Sequence, residues 1–238
     1  MVEPADRRKR VAFFGGSFDP PHLGHIGVAR AAQKALHLDA VLFAPVGVQP
    51  LKPLGSTASF EDRVAMTELA IAGMPQFVIS LADAPNPNGT PNYTIDTLTR
   101  LRQQHPSSTL FTLMGADSLV GLRRWHRGAD IPFVAPLIVA SRPGQRLEDL
   151  AEILPDGLTI TKDATTVEDT SGVPLQVITV RNNGGASAPL YLLPELEIEI
   201  SASDIRDQAN AALDRLCAGH ELLSDAVCDY IAGHGLYR

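Results

Sequence analysis

Apolar residues recur along the chain in two alternating rhythms. Val11-Ala12-Phe13-Phe14 is a short continuous run that stops at Gly15-Gly16, and from Leu23 to Leu36 the apolar positions return at helical spacing. This predicts a strand, a glycine turn and a helix. Ala40 to Ala44 predicts a second strand, and Phe60 to Ala72 a second amphipathic helix with Ser59 as N-cap. Phe77-Val78-Ile79 reads as a strand, Thr94 to Gln104 as a helix, and Leu110 to Met114 and Leu137 to Ala140 as further strands. Each crossover helix in such an alternation covers one face of the sheet, so the predicted fold class is α/β with a doubly wound parallel sheet. Ligands then belong at the C-terminal ends of the strands.

Beyond Pro143 the rhythm changes. A short helix is predicted near Leu147 to Ile153, followed by a polar, acidic stretch from Thr161 to Gly172. Leu175 to Val180 reads as a strand of a small hairpin, and Asn182-Asn183-Gly184-Gly185 as a turn. The region 145–189 therefore reads as a mobile insertion, with little apolar surface to offset the entropy of ordering. Helical spacing returns at Ser203 to Leu216 and Ser224 to Ala232, giving a C-terminal helical part over 203–238. At 238 residues and 45% hydrophobic, the expectation is one domain spanning 1–238.

Composition narrows the partners. A net charge of −7 argues against nucleic acid or an anionic membrane, since neutralising a phosphate backbone requires a broad excess of Lys and Arg. Any phosphate site must be local. No apolar stretch has the length of a membrane span, and the basic start Arg7-Arg8-Lys9-Arg10 precedes only Val11 to Phe14, so a cytoplasmic protein is expected. Cys217 and Cys228 have neither a CxxC arrangement nor a clear His companion, which favours two buried reduced thiols over a disulfide or zinc. A homo-oligomer is compatible with the sequence.

The densest chemistry lies in Gly15-Gly16-Ser17-Phe18-Asp19-Pro20-Pro21-His22-Leu23-Gly24-His25, between the first strand and the first helix. Glycines after a strand let backbone approach a phosphate, and the helix N-terminus adds unpaired N–H groups and a positive dipole end. His22 and His25 are three residues apart and share a helix face, with Gly24 leaving room for a ligand. Alone, such a pair would more often be surface or capping histidines; a zinc site would need a further ligand that the neighbouring sequence lacks. The motif matches neither GxGxxG nor the GxxxxGK loop, which weakens dehydrogenase and kinase readings.

This segment resembles the HxGH-type element of the nucleotidyltransferase superfamily, and specifically that of bacterial nicotinate-nucleotide adenylyltransferases. Later segments agree in order: Phe60 to Gly73, Tyr93-Thr94 with Thr97-Leu98, Gly115-Ala116-Asp117-Ser118-Leu119 with Trp125-His126, Ser201 to Arg206 with Ser203 where threonine is usual, and Gly235 to Arg238. The resemblance thins across Gln145 to Pro189. It implies a Rossmann-like nucleotidyltransferase fold and adenylyl transfer from ATP to nicotinic acid mononucleotide, giving deamido-NAD and pyrophosphate in NAD biosynthesis. It also implies Mg²⁺ carried mainly by the phosphates, with no protein metal site.

Carried over position by position, the resemblance gives His22, His25, Lys52 and Arg206 charge-stabilising roles. It gives nucleotide binding to Gly15, Gly16, Ser17, Phe18, Gly24, Gly115, Asp117 and Ser203, and the acceptor to Thr94, Trp125, His126 and Arg142. Each role has a rival: Lys52 as a solvated lysine, Asp117 or Thr94 as a helix cap, Trp125 as a core residue, Arg142 as half of a surface ion pair. Arg206 near the start of its helix opposes the dipole, which favours a phosphate partner. Asp19 reads as a loop-shaping residue. Competing functions are a related enzyme acting on nicotinamide mononucleotide or phosphopantetheine, a class I aminoacyl-tRNA synthetase fragment, for which no KMSKS-like loop appears, and a catalytically silent nucleotide-binding module.

Overall fold

The computed structural model describes residues 8–52, 55–140, 147–168, 174–193, 200–218 and 222–238. In chain order its elements are β1 (Arg10–Gly16), α1 (Leu23–Leu36), β2 (Ala40–Pro45), α2 (Phe60–Ala70), β3 (Phe77–Ile79), α3 (Thr94–Gln104), β4 (Thr109–Gly115), α4 (Ala116–Gly121), α5 (Ile131–Val134), β5 (Leu137–Ala140), α6 (Leu147–Ile153), β6 (Leu158–Glu168), β7 (Pro174–Asn182), β8 (Ser187–Leu193), α7 (Ala202–Ala218) and α8 (Asp225–His234). Two 3-10 turns, Leu122–Arg124 and Gly128–Asp130, lie between α4 and α5.

The strands form one eight-stranded sheet ordered β3-β2-β1-β4-β5-β8-β7-β6. Neighbours are parallel from β3 through β8, and β7 runs antiparallel to both β8 and β6. Side chains of the central strands alternate between two apolar cores, as a sheet buried on both faces requires. Phe14, Leu113 and Ile138 face one core, where α1, α2, α7 and α8 supply Ile26, Met66, Ile205 and Val227. Phe13, Met114 and Val139 face the other, where α3, α4, α5 and α6 supply Leu98, Leu119, Ile131 and Leu150. The α/β doubly wound architecture thus follows from the strand–helix alternation.

Two expectations are corrected. Within the region 145–189, read as a mobile insertion carrying a small hairpin, β6 and β7 form that hairpin and pair through β8 with the main sheet, extending it. Ile178 and Val180 of β7 and Leu190 of β8 are fully buried, so the hairpin has a core-facing side that acidic composition conceals. β6 is rich in threonine, which suits a strand at a sheet edge that water and charge keep from pairing further. Second, Cys217 and Cys228 are joined as a disulfide rather than held as separate thiols. Their Cα atoms are 5.9 Å apart because α7 and α8 pack together, a proximity that spacing in sequence does not reveal.

Candidate active site

A cavity of about 1090 Å³ opens over the C-terminal ends of β1, β4 and β5, where Gly16, Gly115 and Ala140 line it. From β1 the sheet grows one way through β2 and the other way through β4, so the cavity sits at the topological switch point. Its wall also includes His22, Lys52, Thr94, Trp125 and Arg206. Residues from β1, α3, β4 and α7 thus converge on one space.

At one end, the segment between β1 and α1 turns sharply. Phe18 takes the left-handed backbone conformation, φ 48, and its ring is buried against Phe14 and His25, with centroids 5.5 and 4.9 Å away. The Phe18 ring is therefore core packing. A Cβ on Gly15 would come within 2.7 Å of the Phe13 ring, so this glycine is required by packing as well as by any approaching ligand. His22 is the N-cap of α1, and its ring stacks on His25 with centroids 3.6 Å apart. Burial pushes the His22 imidazole down to about 4, and burial followed by the neighbouring His22 pushes His25 well below its ordinary value. Both rings are neutral near pH 7 in the absence of an anion. The Nδ1 of His25 accepts from the His22 backbone N–H at 3.1 Å, leaving Nε2 as that ring's donor.

Beside the histidines, Lys52 Nζ donates to Ser17 Oγ at 3.0 Å, and Ser17 Oγ donates to Gln49 Oε1 at 3.2 Å. Partial desolvation and then the Arg206 cation lower the Lys52 pKa, as two cations brought together around one space should. Arg206 Nη1 donates to the Asp19 carbonyl at 2.7 Å and Nη2 to Ser203 Oγ at 3.1 Å. Asp19 is buried and shapes the loop: Oδ2 accepts from Thr57 N–H at 2.6 Å, and Oδ1 accepts from Ala58 N–H at 3.1 Å and Tyr237 Oη–H at 2.7 Å. Among the described residues, no group of three or more His, Cys, Asp and Glu side chains is arranged to hold a metal.

The other end is aromatic. Trp125 is half-buried, packing on the core while lining the cavity, so the two readings of this residue coexist. Tyr93 and His126 lie ring against ring with centroids 4.5 Å apart. Tyr93 is the N-cap of α3 and supplies no side-chain cap, so Thr94 is not the cap but the first residue of the helix. Asp117, exposed in the first turn of α4, is likewise not the cap, which is Gly115. A Cβ on Gly115 would meet nothing within 4 Å, so open space adjoins that backbone. Gly24 lines the cavity from the first turn of α1. Arg142 lies outside the described residues.

Several supporting residues escaped the sequence reading. Arg63, only 2% exposed, donates from Nη1 to the Ser17 carbonyl at 2.7 Å and from Nη2 to the Val46 carbonyl at 2.8 Å, tying the two loops together. Its signal was available: it shares the buried stripe of α2 with Met66, Thr67 and Ala70, where a cation is out of place unless bonded. Asn92 joins the same region to the approach of α3, accepting from Val48 N–H and donating to the Ala84 carbonyl, both at 2.9 Å. Nothing in sequence spacing marks it.

A sequence model described as cytidylyltransferase-like matches residues 13–208. A relative from Gloeobacter violaceus, named "Probable nicotinate-nucleotide adenylyltransferase", is 35% identical over 96% of this chain and 96% of its own. One of the same name from Pectobacterium atrosepticum is 38% identical over 96% of this chain and 98% of its own. Among solved structures, the nicotinic acid mononucleotide adenylyltransferase of Plasmodium falciparum complexed with NaAD has a TM-score of 0.69 at 17% identity, covering 97% of this chain and 98% of that one, a likeness of fold.

Proposed function

Because the chain belongs to the cytidylyltransferase-like family and, within it, to the nicotinate-nucleotide adenylyltransferases, we propose that its cavity joins ATP to nicotinic acid mononucleotide, forming deamido-NAD and pyrophosphate in NAD biosynthesis. The observation that carries this reading is the two-ended cavity at the switch point, with stacked histidines and two cations at one end and a half-buried tryptophan at the other.

In the reaction, a phosphate oxygen of the acceptor attacks the α-phosphorus of ATP, and the α–β bridging oxygen leaves with pyrophosphate. No protein nucleophile is required. The task is to position two anions and to stabilise charge as it moves to the leaving group. His22, His25, Lys52 and Arg206 supply that stabilisation; the histidines begin as neutral donors, and polyphosphate binding favours their protonation. Ser17, Gly16 and Gly24 border the triphosphate, and Gly115, Asp117 and Ser203 the adenosine. Trp125 stacks on the pyridine ring, with Thr94 and His126 beside it. The uncapped N-terminus of α3 offers backbone N–H groups to the pyridine carboxylate. Arg142 remains a sequence-based assignment to the acceptor.

Mg²⁺ enters with ATP, held by the phosphates: both Asp19 oxygens already accept hydrogen bonds, which leaves that carboxylate to the loop. The chain acts as one nucleotidyltransferase domain, and the NAD-biosynthetic role supports a place in the cytoplasm. The test is pyrophosphate release from Mg-ATP with nicotinic acid mononucleotide, nicotinamide mononucleotide or phosphopantetheine as acceptor. Release with the first is expected to dominate. No release with it, or faster release with phosphopantetheine, would overturn the assignment.

A further inference from the structure

One contact at the edge of the site serves neither end of the cavity directly. α8 closes at Gly235 with φ 62, and two residues later Tyr237 also takes a positive φ of 61. Glycine enters this left-handed region freely, whereas an aromatic residue does so only where its surroundings demand it. Here the Tyr237 side chain is buried and its hydroxyl donates to Asp19 Oδ1 at 2.7 Å. Burial, followed by the Asp19 charge, raises the phenol pKa, so the hydroxyl stays a donor. Tyr237 does not line the cavity.

Asp19 is the junction of three segments. Its own loop leads into His22 and His25. Its carboxylate accepts the N–H groups of Thr57 and Ala58, and Lys52 Nζ is bonded to Ser17 Oγ, two residues before Asp19 in the same loop. Its carbonyl accepts from Arg206 of α7. Each proposed charge stabiliser is thus attached to this one residue through the backbone or a hydrogen bond. Because the carboxylate is buried, its orientation is set by its donors, and Tyr237 is the side-chain donor among them.

We propose that Tyr237 is a positioning residue for adenylyl transfer: its hydroxyl fixes the Asp19 carboxylate and thereby the relative placement of the histidine loop, the Lys52 connection and Arg206. This rests on the adenylyl-transfer reading above. A small displacement of charge-stabilising groups affects the transition state more than acceptor binding, because the pyridine pocket is built from other elements.

The test compares Tyr237→Phe with Tyr230→Phe. Tyr230, in α8, donates to Asp62 Oδ1 at 2.9 Å from a more exposed position, and neither residue lines the cavity, so the second variant removes a tyrosine–carboxylate hydrogen bond remote from the chemistry. Tyr237→Phe is expected to lower kcat for pyrophosphate release roughly tenfold to a hundredfold while KM for nicotinic acid mononucleotide stays within about twofold. Amide exchange at Thr57 and Ala58 should quicken in that variant alone. Tyr230→Phe should leave kcat unchanged and Tm little changed. Unchanged kcat in Tyr237→Phe, or an equal kcat loss in Tyr230→Phe, would overturn the proposal. If wild-type protein releases no pyrophosphate, the functional reading fails, and the exchange rates of Thr57 and Ala58 still decide whether Tyr237 clamps Asp19.

Discussion

The two ends of the cavity are built by opposite means. The phosphate end is an over-determined network in which the histidine loop, the Lys52 connection and α7 are bonded to one another through Asp19, Ser17 and Arg63. The aromatic end consists of half-exposed or exposed groups, Trp125, Tyr93 and His126, placed by a helix start and a 3-10 turn. On the proposed reading, charge stabilisation tolerates little displacement, which suits groups locked before substrate arrives, while a flat ring recognised by area and stacking permits a looser frame. Rate should therefore depend on the first end and acceptor choice on the second.

The largest expected effect tests the aromatic end. If the α3 N-terminus receives the pyridine carboxylate, the carboxamide analogue turns an NH₂ toward donors, and kcat/KM should favour nicotinic acid mononucleotide by about 10⁴. Equal kcat/KM values for the two acceptors would remove specificity from that end. Next, His25→Ala should reduce kcat by roughly 10²–10³, or about 3–4 kcal/mol of transition-state stabilisation, with Tm and acceptor KM little changed. Near-normal turnover would show that the phosphate end does not govern rate.

A pH measurement sharpens the contrast at intermediate size. The native His22 pKa, about 4, lies below its unfolded value of 6.5, so the unfolded chain binds the extra proton first as pH falls. The stabilisation from neutral His22 is complete above about pH 6.5 and is lost through pH 4, amounting to roughly 3 kcal/mol. Thermal melts over that range should steepen accordingly, His22→Asn should flatten them, and added ATP should reduce the slope by favouring the protonated ring. A wild-type curve as flat as the variant's would contradict a buried neutral His22. The smallest effect belongs to Trp125→Ala: loss of about 1–1.5 kcal/mol of stacking raises the acceptor KM roughly tenfold. A fall in kcat with unchanged KM would instead couple Trp125 to the phosphate end.

What sequence revealed follows the same division. The central strands β1, β2, β4 and β5 were legible because each is a short, largely buried apolar run, while β8, though parallel to β5, was absorbed into the region read as an insertion; the HxGH-type element was legible because glycines and histidines between a strand and a helix have few other uses. β7 was legible as the strand Leu175 to Val180 of a small hairpin, whereas its partner β6 was not, since the polar residues of Thr161 to Gly172 dilute the pattern that Ile178 and Val180 carry in β7. The roles of Arg63, Asn92 and Tyr237 depend on partners far along the chain, which no local window contains. The disulfide was missed for a different reason: its cysteines are only 11 residues apart, and it is the way α7 meets α8 that brings them together.

The hydrogen bond between Asp19 and Tyr237 spans 218 positions, and that separation orders events in time. At a synthesis rate of about 5–20 residues per second, a ribosome completes Tyr237 roughly ten to forty seconds after Asp19. During that interval β1, β2 and β4 can pair and His22, His25 and Lys52 are already present, yet the carboxylate that relates them lacks its phenol. The nascent chain thus acquires its sheet first and its competence last. A translation product that stops between Arg206 and Tyr237 carries the proposed charge-stabilising groups without the bond that sets them in place.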